Sequence, residues 1–266
     1  MSDEGVPADE AAKHAPAAPG RAARAVMAAE AVLAERFPQA IFAIVAGSIL
    51  RGEGTQTSDI DLVVLHEALP AAWRESFHFD DFPIEAFVHD FETLNWFVDQ
   101  DMAGGCPVLA DMVAGGVAIG PERARAEALQ AGAQQRLERG PAPLTPEIRD
   151  RLRYQITDLV DDLRDARPAA EIRAIAAELM KPLADLMLLG RGRWSGRGKW
   201  LPRLLVRADA SLAESFDTAL RHAGAGQAAE LIRLAELELA PHGGPLFAGD
   251  RRTAPPDARR PGLLAQ

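Results

Sequence analysis

Ala46-Gly47-Ser48-Ile49-Leu50-Arg51-Gly52, followed six residues later by Ser58-Asp59-Ile60-Asp61-Leu62-Val63-Val64, is the stretch on which the fold and the chemistry turn. An apolar run over residues 41–46 reads as a buried strand that stops at Gly47-Ser48. A loop containing Gly, Thr and Gln comes next, and a second apolar strand over residues 59–65 then carries aspartates at i and i+2. Side chains alternate across a strand, so Asp59 and Asp61 share one face while Ile60 and Leu62 share the other. Two neighbouring carboxylates on an otherwise apolar strand repel each other and are costly to desolvate. A divalent cation relieves both costs.

Such a pair calls for a third carboxylate from a neighbouring strand. Glu85 is the preferred candidate, a charge inside the apolar run Ile84-Glu85-Ala86-Phe87-Val88; Asp90 and Glu92 are the alternatives. Three carboxylates suit one or two Mg²⁺ ions held against a nucleoside triphosphate. Glu85 could equally serve as general base on an attacking hydroxyl. At Gly47 the missing Cβ lets a phosphate approach the backbone, and a helix beginning near Ser48 would aim its N–H groups at that anion. Ser48 adds a hydroxyl donor, Arg51 a cation for phosphate or loop, and Gly52 a tight turn. The loop is not of the Walker type, because no Gly-Lys-Ser/Thr follows the glycines.

Residues 21–36 are Ala-rich with Val26, Ala29, Val32 and Leu33 on one helical face. A strand is expected near 84–88 and a helix over 91–102, while residues 104–120, with five glycines, read as loop-rich. Breakers cluster at 139–143, and Thr145-Pro146-Glu147 opens a helix, with Thr as N-cap and Pro at the first helical position. Beyond it the chain reads as all-helical, over 146–166, 169–189, 200–205 onward, 211–223 and 226–240. The expected fold is α/β (α+β): a small mixed sheet flanked by helices over 21–138, then an all-α helical bundle over 144–248. Residues 1–20 and 249–266 read as disordered tails.

Composition bounds the function. The formal charge of −10 is uneven, with a net −12 over residues 1–140 and +2 over 141–266. An acidic front half argues against a general nucleic-acid binder, which needs a basic footprint. The single cysteine, Cys106, precludes an intrachain disulfide or a Cys-based zinc site and reads as a buried or incidental thiol. The N-terminus lacks the pattern of a signal peptide, and no apolar run approaches the roughly 20 residues that span a bilayer. A soluble, cytoplasmic protein is expected.

The strand–Gly-Ser–spacer–strand-with-Asp-x-Asp arrangement, with a later acidic strand, resembles the DNA polymerase beta-like nucleotidyltransferase superfamily. Gly47, Ser48, Asp59, Asp61 and Glu85 fall on its pattern, and Arg51, Gly52 and Ser58 match its common Gly-Ser-x-x-Arg-Gly…Ser-Asp-x-Asp form. A small catalytic domain followed by a helical bundle is similar to the aminoglycoside nucleotidyltransferases. That resemblance implies Mg²⁺ at Asp59 and Asp61, with Glu85 as third ligand or base, and ATP phosphates at Gly47-Ser48. It implies AMP transfer to a hydroxyl of a cationic small molecule, with loss of pyrophosphate. Nucleotidylation of a protein or RNA, as in related toxin–antitoxin enzymes, and a non-catalytic nucleotide-sensing module are the competing readings. No membrane partner is implied, and a homodimer is compatible with the sequence.

The second half adds a run over 191–207 with six basic residues and no acidic one. It reads as a lid for the triphosphate at a domain interface, with Lys199 and Arg203 as nucleotide contacts, or as a solvated loop. Trp194 and Trp200 could stack on a base or pack in the core. Asp158, Asp161, Asp162 and Asp165 read as a solvated helix face or as an amine-binding patch, and Glu178 as an acceptor-site acid or base. His66, His78 and His89 read as structural.

Overall fold

The computed structural model describes residues 20–259; the expected tails fall, over residues 1–19 and 260–266, outside them. Strands β1 (Phe42–Ala46), β2 (Ile60–Leu65), β3 (Trp73–Phe79), β4 (Phe82–His89) and β5 (Val117–Ile119) form one sheet in the order β3-β4-β2-β1-β5. β2 and β4 run parallel, and the other pairings are antiparallel. Helix α1 (Arg21–Arg36) packs its small and branched residues, Ala25, Ala29 and Val32, on a face built by Val45, Leu62, Val64, Ala86 and Val88.

The opposite face changes character along its strands. Register places Phe42 beside Leu65 and Ile44 beside Val63, all four buried, and then Ala46 beside Asp61. Helix α2 (Phe91–Ala103) covers the apolar end, with Phe91 edge-on to Phe42 and Phe97 edge-on to His89. The acidic end stays partly open. Helices α3 (Val108–Gly115) and α4 (Arg123–Glu138) complete this part, where the Gln130 amide donates to the carbonyls of Val113 and Gly116.

Two local expectations change, and one strand is added. Residues 73–79 form a strand that the charged sequence Trp-Arg-Glu-Ser-Phe-His-Phe conceals; it is an edge strand, where alternate positions can stay polar. A tight hairpin ties it to β4, pairing Phe79 with Phe82 around Asp80, whose φ of 49° is one that Asp tolerates. The loop-rich segment 104–120 contains α3 and β5. No helix starts at Ser48: the chain turns at once, with Gly52 N–H donating to Ile49 O and Glu53 N–H to Ser48 O. Ile49 is drawn into the core, and Gly52 sits at φ 72°, which ends any nascent helical turn.

The helical part consists of α5 (Pro146–Arg164), α6 (Ala169–Leu189), α7 (Trp200–Ala208), α8 (Ala210–Gly224) and α9 (Ala229–Leu239). Thr145 caps α5 by accepting from Ile148 N–H, with Pro146 in the first turn, as the sequence dictates. Leu152, Ile156, Val160 and Leu163 of α5 meet Leu179, Leu183 and Leu186 of α6 in a core shared with α8 and α9. Residues 249–259 include a 3₁₀ turn (Pro256–Ala258), and Arg252 lies over the Tyr154 ring.

The described residues fall into two compact units. One takes in α1 through Val98 and then Leu109–Arg136; the other takes in Asp99–Val108 and the chain from Leu137 onward. The expected first domain ran unbroken over 21–138, whereas residues 99–108 group with the helical unit.

Candidate metal centre

The register of the sheet assembles the acidic site. Asp61 of β2 pairs with Glu85 of β4, so two side chains far apart in the sequence become immediate neighbours across about 4.8 Å of parallel sheet. Asp59, two residues before Asp61, returns to the same face. Each of the three carboxylates offers an oxygen, and these atoms lie within 4.8 Å of one another. Ile60 and Leu62 are buried on the far face, as alternation requires. Hard oxygen donors in this number and spacing fit a divalent cation of the Mg²⁺ or Mn²⁺ kind.

The alternatives for the third carboxylate are placed elsewhere. Asp90 is buried and accepts from the N–H groups of Leu69 and Thr93, while its own N–H donates to Thr93 Oγ1. Hydrogen bonds from the Thr93 N–H, the Thr93 hydroxyl and then the Leu69 N–H hold its carboxyl below the usual carboxylate range and make it the cap of α2. Glu92 is exposed in the first turn of α2.

The Gly-Ser loop closes over the acidic end of β2. Gly47 has φ 108°, and a Cβ there would stand 3.1 Å from Asp59 O and 3.3 Å from Asp61 Oδ2. A Cβ would be tight against both, and the positive φ is one that L side chains rarely adopt, so glycine suits the position. Ser48 is buried, and its hydroxyl donates to Ser58 Oγ at 3.2 Å; Ser58 Oγ in turn accepts from Thr55 N–H. The two serines therefore close the loop on itself. Arg21 of α1 anchors the same loop by donating to Gln56 O at 2.7 Å. Arg51 lies 3.7 Å from Glu53.

On the other side of the triad, Arg74 Nη1 stands 3.0 Å from Glu85 Oε1. Ser76 is the register partner of Glu85, and His78 that of Pro83. Asp59, Ser76, His78 and Glu85 line a small cleft of about 180 Å³. Arg74, Ser76 and His78 were not anticipated as site residues. Their signal was present in β3, where polar Arg, Ser and His alternate with Trp73, Glu75, Phe77 and Phe79.

The remaining sequence candidates lie in the helical unit. The basic run is tethered: Trp194 Nε1–H donates to Leu137 O at 2.8 Å, Ser195 N–H donates to Gly105 O, and the buried Ser195 hydroxyl donates to Asp185, itself paired with Lys181. Trp194 is thus a hydrogen-bonded anchor. Lys199 is exposed just before α7, and Arg203 and Arg207 flank the Trp200 ring. Of the acidic patch, Asp161 pairs with Arg164 and Asp162 with Arg167, as on a solvated helix face. Glu178 is exposed on α6.

His66 is half-buried and His89 buried, and desolvation pushes both imidazoles down; His78 instead faces the cleft. Cys106 is buried, and desolvation pushes its thiol up, as befits an inert thiol. No helix among the described residues is long and apolar enough to cross a membrane.

Residues 26–94 match the family model for the nucleotidyltransferase domain, a span that includes Gly47, Ser48, Asp59, Asp61 and Glu85. Among solved structures, the chain is similar to a nucleotidyltransferase-like protein from Exiguobacterium sibiricum 255-15. The two share 12% identity over 81% of this chain and 73% of that one, with a TM-score of 0.39. No curated protein matches this sequence significantly.

Proposed function

We propose that the chain transfers a nucleotidyl group, AMP from ATP, to a hydroxyl of a small molecule of the aminoglycoside kind, releasing pyrophosphate; the match of residues 26–94 to the nucleotidyltransferase domain supports the transfer. The observation that carries this reading is the convergence of Asp59, Asp61 and Glu85 beside a glycine held at positive φ.

Asp59 and Asp61 are assigned to hold Mg²⁺, and Glu85 to be third ligand or general base. A bound divalent cation supplies charge neutralisation of the triphosphate and of the departing pyrophosphate. The chain's own part is placement. The Gly47 turn brings backbone close to the carboxylates, and the Ser48–Ser58 hydrogen bond holds that turn in shape. Such preorganisation supports an in-line attack by an acceptor hydroxyl, whose proton Glu85 is positioned to take when it acts as base. Gly47, Ser48, Arg51 and Ser58 are assigned to the nucleotide side. Lys199 and Arg203 are assigned as cations that assist triphosphate binding.

The test is pyrophosphate release from ATP with Mg²⁺ across a panel of aminoglycosides and other hydroxylated small molecules. Acceptor-dependent release that Asp61→Ala abolishes is the expected result. Release only with a protein or RNA acceptor would replace the small molecule by a macromolecule. Nucleotide binding without release under any condition would leave a sensor in place of an enzyme.

A further inference from the structure

We propose that Arg74 is an electrostatic latch on Glu85: its guanidinium pairs with a carboxylate that a divalent cation would also recruit, so cation and guanidinium compete for it. The inference rests on the assignment of the acidic triad to metal binding and adds a residue that regulates it.

The argument starts from register. Arg74 pairs with Phe87 and Ser76 with Glu85, so Arg74 and Glu85 lie on one face as diagonal cross-strand neighbours. A long side chain spans that diagonal, and Nη1 reaches Glu85 Oε1 at 3.0 Å. Three carboxylates with oxygens inside 4.8 Å repel one another when no cation is present. A guanidinium on one of them lowers that repulsion.

The pair is built to open. Arg74 has a side chain 63% exposed on an edge strand, whereas that of Glu85 is 25% exposed. An exposed pair of this kind shifts an equilibrium by only about two- to fivefold. A dication coordinated by Asp59 and Asp61 therefore outcompetes it, and the freed guanidinium turns into solvent at little cost. Glu85 consequently switches partner with metal occupancy, which makes Arg74 a positioning residue for Glu85 and not a group that meets substrate.

The experiment is Mn²⁺ titration by calorimetry, without nucleotide, on the full chain carrying Arg74→Gln, Arg74→Lys, Glu85→Gln, or Arg74→Gln with Glu85→Gln. The expected result is Mn²⁺ binding about two- to fivefold tighter in Arg74→Gln, wild-type affinity in Arg74→Lys, and no effect of Arg74→Gln once Glu85 is Gln. An equal gain in both backgrounds would reduce Arg74 to a distant charge and overturn the latch. Unchanged or weaker binding in Arg74→Gln would overturn it too.

Where Glu85→Gln binds too weakly for the cycle, the ¹⁵N resonance of the Arg74 side chain decides. Release to a freely exchanging value at saturating Mg²⁺ supports the latch, and an unmoved resonance overturns it. A wild-type protein that binds no Mn²⁺, or an Asp61→Ala variant that binds it normally, overturns the metal assignment itself. The latch alone fails when wild type binds and Arg74→Gln is indifferent.

Discussion

Gly47 and Asp61 sit so close that a Cβ on the glycine would stand 3.3 Å from the Asp61 carboxylate oxygen Oδ2, on a backbone with φ 108°. Steric room and dihedral angle demand the same residue for independent reasons. The glycine is therefore part of the acidic site, although it carries no chemistry.

Gly47→Ala consequently strains the turn and pushes on Asp59 and Asp61 together. A stability loss of about 1–3 kcal/mol is expected from the backbone alone. Turnover should fall further, by about 100-fold, because a displaced carboxylate misplaces what it holds. Thermal denaturation and steady-state pyrophosphate release on one preparation separate the two effects. A stable variant with normal turnover would show that the close approach is incidental.

Asp59→Ala and Asp61→Ala should each lower turnover by about 10²- to 10³-fold or more while the fold survives. Both residues lie at the open end of their strand face, away from the α1-covered core. Circular dichroism should match wild type, and calorimetry should show Mn²⁺ binding lost. Near-normal turnover in both variants would end the metal assignment.

Asp90 belongs to stability and not to chemistry. Hydrogen bonds from Thr93 and Leu69 depress its folded-state pKa below the unfolded value. Its contribution is therefore complete above the unfolded pKa of about 3.9 and disappears as pH falls through the folded one. Asp90→Ala should cost about 1–2 kcal/mol at pH 7, with the gap to wild type closing under strongly acidic conditions. Urea melts across pH measure it, and a gap that widened in acid would contradict the sign.

Lys199→Ala should raise the apparent KM for nucleotide by about tenfold and leave that for the acceptor nearly unchanged. Trp194→Phe, which removes the donor to Leu137 O, should instead loosen the 191–199 segment and raise its amide exchange. An unchanged nucleotide KM in Lys199→Ala would take the basic run out of the mechanism.

Local pattern carried much of this molecule. The Ala-rich face of α1, the Thr145-Pro146 start of α5 and the apolar periodicity of α5 and α6 are short-range features, and each element forms where those residues place it. The same holds for Asp59 and Asp61, whose shared face follows from strand alternation alone. Strand β3 escaped because an edge strand need not be apolar, so Arg74, Ser76 and His78 masked its periodicity. The helix expected at Ser48 failed because burying Ile49 and closing the loop through Ser58 outweighed the preference of a hydroxyl residue to cap a helix.

Read alone, the residues already place two aspartates, with one residue between them, on an apolar strand after a Gly-Ser turn, with helices to follow. Tertiary structure decided which third carboxylate joins them. Parallel pairing of β2 with β4 sets Glu85 beside Asp61, while capping of α2 draws Asp90 away. It also decided that Arg74 meets Glu85 across a hairpin. Register is a property of strands meeting in space, fixed by which faces must be buried, and no single segment contains it.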